Sequence, residues 1–360
     1  MLRPVTSLAS VPTTASLAQT PAVAIWEVTR ACDLRCTHCR AEAMTNADPA
    51  ELSPDEAFDL VDQLAELGPR VLVLTGGDPL KRRDLLPIVR RAVARGLSVS
   101  IAPSVTPLLT EASIAALQRA GIDRIALSLD GSAAQSHDRM RGIDGSFDRT
   151  RRMIDIVRAA GLSLQINTSL TADTMNDTAR IGDLVATIAP DLWSVFFVVP
   201  VGRATQTTSL DPWACERAFH YLYDWGERTG CAVKTTAAPA YRRVVLQRDA
   251  ERRRLDERPP RRGRPAVNDG KGFVFISHTG DVYPSGFLPL PAGNVRLTSL
   301  PEVYHDSLIF RTLRTSSRLE GKCGRCPFQQ VCGGSRARAF AMTGNMLAED
   351  PACAYEPPAV

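Results

Sequence analysis

Residues 29–43 read TRACDLRCTHCRAEA and set three thiols, Cys32, Cys36 and Cys39, in the spacing C-x3-C-x2-C. A closed structural metal site takes four protein ligands, and no fourth cysteine lies nearby. Thiolates suit zinc, copper or iron–sulfur clusters. His38 is the only local candidate for a fourth ligand, and its place between two of the cysteines makes reaching the same ion sterically awkward. A [4Fe-4S] cluster held by three cysteines instead keeps one iron free for a small-molecule ligand. The missing thiol then becomes a chemical asset.

The triplet follows directly on AVAIWEV (22–28), the first of six short apolar runs. The others are RVLVLTG (70–76), LSVSIAP (97–103), RIALSLD (124–130), SLQINTS (163–169) and WSVFFVV (193–199). Helical patterns separate them. In SPDEAFDLVDQLAELG (53–68), Ser53 is placed to cap, Pro54 to open the helix and Glu56 to complete a capping box. Strand–helix units in series imply a parallel sheet with right-handed crossovers. The near-continuous apolar strands predict burial on both faces. Six units fall short of the eight of a full barrel. The expected architecture is therefore α/β, a partial (β/α)6 barrel open on one side, with room for a large substrate. The thiols lie at the C-terminal edge of its sheet, where such barrels build active sites.

The chain has 360 residues, 44% hydrophobic and 23% charged, with a net charge of +4 at pH 7. That is ample material for a core, and too small a charge excess for a surface-wide basic field. No apolar run reaches the length of about 18 that a transmembrane helix needs. Residues 1–20, rich in Ser, Thr, Ala and Pro, lack the apolar centre of a secretory signal and read as a disordered tail. Nine cysteines is an odd count, against a fully paired disulfide framework. Without an export signal a reducing cytoplasm is expected, where clustered thiols bind metal. Cys215 and Cys231 stand apart and read as small core residues.

Beyond a barrel spanning 21–230, the pattern changes. The stretch YRRVVLQRDAERRRLDERPPRRGRPAVNDGKG (241–272) is Arg-rich without a lasting apolar stripe, so 231–270 reads as a solvated or mobile connector. It lacks interleaved aromatics for stacking on bases. GFVFISHTGDVYPSG (272–286) predicts a β-hairpin turning at HTGD, and opens a cysteine-rich domain over 271–360.

The opening triplet, at that strand end, resembles the signature of the radical S-adenosylmethionine (SAM) superfamily. The resemblance implies that Cys32, Cys36 and Cys39 hold a [4Fe-4S] cluster whose open iron chelates the amino and carboxylate groups of SAM. An electron from the cluster then splits SAM into methionine and a 5′-deoxyadenosyl radical, which takes hydrogen from substrate. His38 fits the family's usually aromatic position by the adenine. TGGDPL (75–80) looks like the GGE-type motif that contacts the methionine amino group, through Gly76 and Gly77, with Asp78 in place of Glu. SLDG (128–131) offers Ser128 and Asp130 near the ribose or carboxylate, HDRMRGIDGSF (137–147) brings Arg141 near the carboxylate, and Asn167 ends the fifth strand on the same rim.

The tail, CGRCPFQQVCGGSRARAFAMTGNMLAEDPAC (323–353), carries Cys323, Cys326, Cys332 and Cys353. Four thiolates satisfy a tetrahedral metal, and a structural zinc site is one reading. The pattern also resembles the SPASM or twitch extension of radical SAM enzymes, which implies an auxiliary [4Fe-4S] cluster. The full extension's upstream thiol is absent, with Ser285 near its place. One fully ligated auxiliary cluster is therefore expected, serving electron transfer or tail stability. Arg336 and Arg338 are placed to bind a carboxylate or to pair with nearby acids.

The run 332–353 is similar to the ends of mycofactocin peptide maturases and of radical SAM enzymes that trim tetrapyrroles in alternative haem pathways. The resemblance implies hydrogen abstraction from a peptide during maturation as the first expectation, and decarboxylation or side-chain modification of a tetrapyrrole as the second. It implies a low-potential donor such as flavodoxin or ferredoxin and, for a peptide, a carrier protein; neither nucleic acid nor membrane is an expected partner. A reading of another class is a non-enzymatic zinc protein that binds nucleic acid through the Arg-rich stretch.

Overall fold

The computed structural model describes residues 14–205, 208–256 and 267–358. The six apolar runs become strands β1 (Val23–Glu27), β2 (Val71–Thr75), β3 (Val99–Ile101), β4 (Arg124–Ser128), β5 (Ser163–Leu170) and β6 (Leu192–Phe197). Helix α1 (Thr14–Gln19) precedes them. The connections hold α2 (Pro54–Leu67), α3 (Leu85–Ala94), α4 (Glu111–Ala120), α5 (Ala134–Arg141), α6 (Ser146–Ala159) and α7 (Thr178–Ile188). Capping decides where α2 begins. Ser53 Oγ accepts from Glu56 N at 3.3 Å, and the Glu56 carboxylate accepts from Ser53 N at 2.8 Å. Gly68, with φ of 67°, ends it in the left-handed conformation that glycine adopts without penalty. The apolar positions Leu60, Val61 and Leu64 are fully buried against the sheet.

All six strands pair in parallel in chain order, and β7 (Ala232–Thr236) adds a seventh beside β6. On the other flank of β1 lies β8 (Phe273–Ile276), also parallel, with Val23 opposite Phe273. The hairpin expected around HTGD joins β8 to β9 (Asp281–Tyr283), and β10 (Gly293–Asn294) completes an open sheet of ten strands. Burial on both strand faces does not hold. Along β5 the residues alternate strictly, with Leu164 and Ile166 buried under helices while Ser163, Gln165, Asn167 and Ser169 look onto a central cavity. The concave face is a wall around solvent-accessible space, which is why it carries hydroxyls and amides.

The expected disordered tail and the expected solvated or mobile connector are both corrected in part. Residues 1–13 lie outside the described residues, but Thr14–Gln19 is helical and docks. Leu17 is buried, and its carbonyl accepts from Tyr304 Oη at 2.6 Å. The Arg-rich stretch forms α9 (Tyr241–Asp256), packed along α8 (Pro212–Thr229). Arg243 pairs with Glu216, Arg248 with Asp224 and Arg252 with Glu227, while Val244 is fully buried. Residues 257–266 of that stretch lie outside the described residues. Helices α10 (Leu300–Asp306), α11 (Leu308–Arg314), α12 (Gly321–Gly324) and α13 (Arg336–Thr343) complete the chain. No helix among the described residues is long and apolar enough to cross a membrane.

Candidate active site

The loop after β1 is built on backbone hydrogen bonds to the strands and helices around it. Cys32 N donates to Met44 O at 2.7 Å and Met44 N to Arg30 O at 3.0 Å, closing the loop at its base. The C-terminal carbonyls of α5, which lack intrahelical partners, accept from the loop: Arg35 N reaches Arg141 O and Thr37 N reaches Met140 O, both at 3.1 Å. From the end of β2, Gly77 N donates to Thr29 O at 2.8 Å and Asp78 N to Ala31 O at 2.7 Å. A Cβ on Gly76 would lie 2.4 Å from Thr29 O. Only glycine permits that approach.

The three thiols line one rim of a cavity of about 860 Å³. Cys32 Sγ lies 3.4 Å from Ser104 Oγ, which donates to Gly77 O at 2.8 Å. Arg141 Nη1 points at Cys36 Sγ from 3.7 Å. Burial pushes the Cys32 and Cys36 thiols up, although Ser104 and Arg141 work in the opposite direction. A cationic metal centre would be needed to hold them as thiolates. His38 lines the same cavity with Nδ1 buried and without a partner, and burial lowers its pKa to about 4, so the ring is neutral at pH 7. Three thiols and an orphaned ring nitrogen around one space fit a three-cysteine cluster carrying a further ligand.

Gly76, Gly77, Ser128, Arg141 and Asn167 also line the cavity. Two expected contacts turn away. Asp78 is fully buried, accepting from Leu80 N at 3.1 Å and Thr106 Oγ1 at 2.7 Å, so its carboxylate holds a turn. Asp130 is likewise fully buried, accepting from Ser169 N at 2.6 Å and pairing with Arg141. Burial opposes its charge, but Arg141, His38 and His137 together outweigh that and keep the carboxyl below its ordinary range. Arg141 therefore sits between Asp130 and the Cys36 sulfur. Asn167 Oδ1 accepts from Gln165 Nε2 at 2.7 Å, and Asn167 pairs in register with Ser128.

Several site residues escaped the sequence reading. Ser104 follows the third strand and Arg203 the sixth, so a search of every strand end was the signal available. Arg203 N donates to Cys39 O at 3.0 Å, and its Nε and Nη2 are buried without partners beside the cavity. Under the thiol loop, Glu27 is buried, pairs with Arg40 and lies 3.0 Å from His278 Nδ1 in the β8–β9 turn. Burial would raise the Glu27 pKa, yet Arg40 and His278 bring it to about 2.

Cys323, Cys326, Cys332 and Cys353 line a second, small cavity. Arg336 Nη2 lies 3.7 Å from Cys323 Sγ and its other groups donate to the carbonyls of Gly334, Met346 and Ala348. Arg338 pairs with Asp350 at 3.4 Å, so of its two expected roles the acid pairing is the one made. A Cβ on Gly334 would stand 2.9 Å from Cys323 Sγ. Four thiols around one cavity are a donor set suited to a metal cluster. Burial pushes Cys332 up to about 12 and Cys353 to about 11, so binding a metal there would release protons. Ser285 is buried and lines the larger cavity.

The model of the radical SAM superfamily matches residues 26–184. The chain is 41% identical to the AdoMet-dependent heme synthase of Oleidesulfovibrio alaskensis, covering 92% of this chain and 87% of that protein. It is 36% identical to the enzyme of the same name from Methanosarcina barkeri, covering 95% and 99%. Among solved structures, Streptococcus suis SuiB bound to S-adenosylmethionine shares the fold at 16% identity, with a TM-score of 0.72 over 94% of this chain and 78% of that one. By motif, by site geometry and by kinship along nearly its whole length, the chain belongs to the radical SAM superfamily.

Proposed function

We propose that this radical SAM enzyme acts on the carboxylate arms of a tetrapyrrole, by oxidative decarboxylation. The observation that carries this reading is the identity of 41% and 36%, over more than nine-tenths of the chain, to two enzymes called AdoMet-dependent heme synthase. It reverses the order of the expectations drawn from sequence, in which a peptide came first. The structural likeness to SuiB, at 16% identity, speaks for the fold alone. The cavity is compatible with the same choice, since Phe196, Phe273, Phe275 and Phe287 give its lining an apolar aromatic part. With the family established, the zinc and nucleic-acid alternative is set aside.

When bound, the cluster on Cys32, Cys36 and Cys39 together with SAM supplies a 5′-deoxyadenosyl radical able to take a hydrogen atom. His38, Gly76, Gly77, Ser128 and Asn167 are assigned to SAM; Asp130 and Asp78 position, the first through Arg141 and the second through the turn after Gly77. Loss of one hydrogen atom, one electron and carbon dioxide from a propionate arm leaves a vinyl group. Cys323, Cys326, Cys332 and Cys353 would hold the auxiliary [4Fe-4S] cluster. A low-potential donor, flavodoxin or ferredoxin, is assigned to reduction, and a cytoplasmic location fits that donor. A peptide carrier has no place in this reading.

The test is an anaerobic assay of the reconstituted enzyme with iron coproporphyrin III and, separately, with candidate peptides, in the presence of an electron acceptor. Formation of 5′-deoxyadenosine together with loss of the elements of formic acid from the porphyrin is the expected result. Cys36→Ala should abolish both products. A peptide that is altered while the porphyrin stays intact would overturn the proposal.

A further inference from the structure

We infer that Lys234, flanked by Arg124 and Arg242, anchors a carboxylate arm of the substrate inside the barrel. The inference rests on the tetrapyrrole reading above and adds to it the side chains that hold the macrocycle in place. All three cations line the same cavity as the thiols. Lys234 lies on β7 in register with Ser194 of β6, and its side chain makes no hydrogen bond or ion pair among the described residues. Arg124 opens β4, at the opposite strand end from Ser128, and donates from Nε to Ser163 Oγ at 3.0 Å. Arg242 on α9 donates to two backbone carbonyls, Val267 O and, at 3.2 Å, Val331 O. Every one of these partners is neutral.

The acids nearest at hand are engaged elsewhere. Asp123 accepts from Ser98 Oγ at 2.7 Å and from Val99 N, and Asp269 accepts from Ala337 N at 3.0 Å. Three positive charges therefore line one cavity, and none of the three is in an ion pair among the described residues. Burial first, then Arg242 and Arg124, lower the Lys234 pKa to about 8. All three cations are half-buried and so lose part of their hydration, and an anion brought by the ligand offsets that loss. A carboxylate suits the set, because guanidinium forks grip it in two places while the ammonium adds a point charge.

The experiment titrates the reconstituted holoenzyme with iron coproporphyrin III and with its tetramethyl ester, following the porphyrin absorbance. Lys234→Met should weaken binding of the acid about tenfold, the effect of one lost charged contact, and leave the ester unchanged. Lys234→Arg should restore the acid to within about threefold of wild type. Lys234→Gln and Arg124→Gln run in parallel as milder changes, each expected to weaken the acid and spare the ester. The change that SAM makes in the cluster's electron paramagnetic resonance spectrum should be the same in all variants. Equal affinity of Lys234→Met and wild type for the acid would overturn the anchor, as would equal loss of acid and ester. Failure of the wild type to bind either porphyrin would overturn the tetrapyrrole reading itself, and the anchor with it.

Discussion

At Gly77 one added methyl group meets two carbonyls. Its Cβ would lie 2.4 Å from Ala31 O and 2.6 Å from Arg30 O, and both oxygens belong to the backbone of the thiol loop. Neither can rotate aside. Gly77→Ala should cost about 3 kcal/mol of stability and displace the loop, so that the purified protein carries less iron and sulfide. Normal cluster content in that variant would show that the contact is not rigid. Glu27 makes an electrostatic prediction. Its pKa falls from 4.5 to about 2 on folding, so its contribution is present above pH 4.5 and is lost as pH falls toward 2. His278 runs the other way. Its pKa is raised above 6.5 because Glu27 and Asp48 outweigh burial, so its contribution holds below pH 6.5 and fades as pH rises through the native value. Glu27→Gln leaves Arg40 and His278 facing a neutral amide, and should cost about 3 kcal/mol near pH 6. Urea midpoints measured at stepped pH should show a steeper acid loss in wild type than in this variant.

Among the elements, α2 tests capping most directly. Ser53→Ala removes the side-chain acceptor for Glu56 N and should lower stability by about 1 kcal/mol, read from the midpoint of chemical unfolding. The same helix shows why much of the fold was legible: its cap, its proline and its apolar spacing all lie within one short window. The six strands were visible for the same reason. Helix α9 was not, because its packing face is built from arginines paired with Glu216, Asp224 and Glu227 of α8, and a search for apolar stripes passes over it. Strand β7 was missed because it is short and half-buried, and turns Lys234 toward the cavity. In the site, the cysteines and the paired glycines form local motifs and were found. Ser104, Arg203 and the Glu27–His278 contact are joined only in space, the last across 251 positions. Asp78 and Asp130 were legible as residues but not in orientation, since nothing local says that an acid at a strand end turns inward to a threonine or an arginine.

Across the whole molecule, the tail and the barrel share one sheet. Strand β1 is flanked by β2 and by β8, and the thiol loop springs from its end. His278, in the turn that follows β8, reaches back to Glu27 at the end of β1. The C-terminal segment is thus part of the foundation of the thiol loop. Removal of residues 271–360 should strip β1 of a neighbour, expose a strand edge and yield aggregated protein on gel filtration, free of iron. A soluble, monomeric fragment that still loads a cluster would contradict the coupling. The pairing of Val23–Trp26 with Phe273–Ile276 also carries a timing cost. A ribosome adding about 5–20 residues per second needs some tens of seconds to travel from one strand to the other. Through that interval the nascent chain carries its three thiols beside a strand that still lacks one neighbour. Iron is therefore expected to load after release of the chain, once Phe273–Ile276 has joined Val23–Trp26.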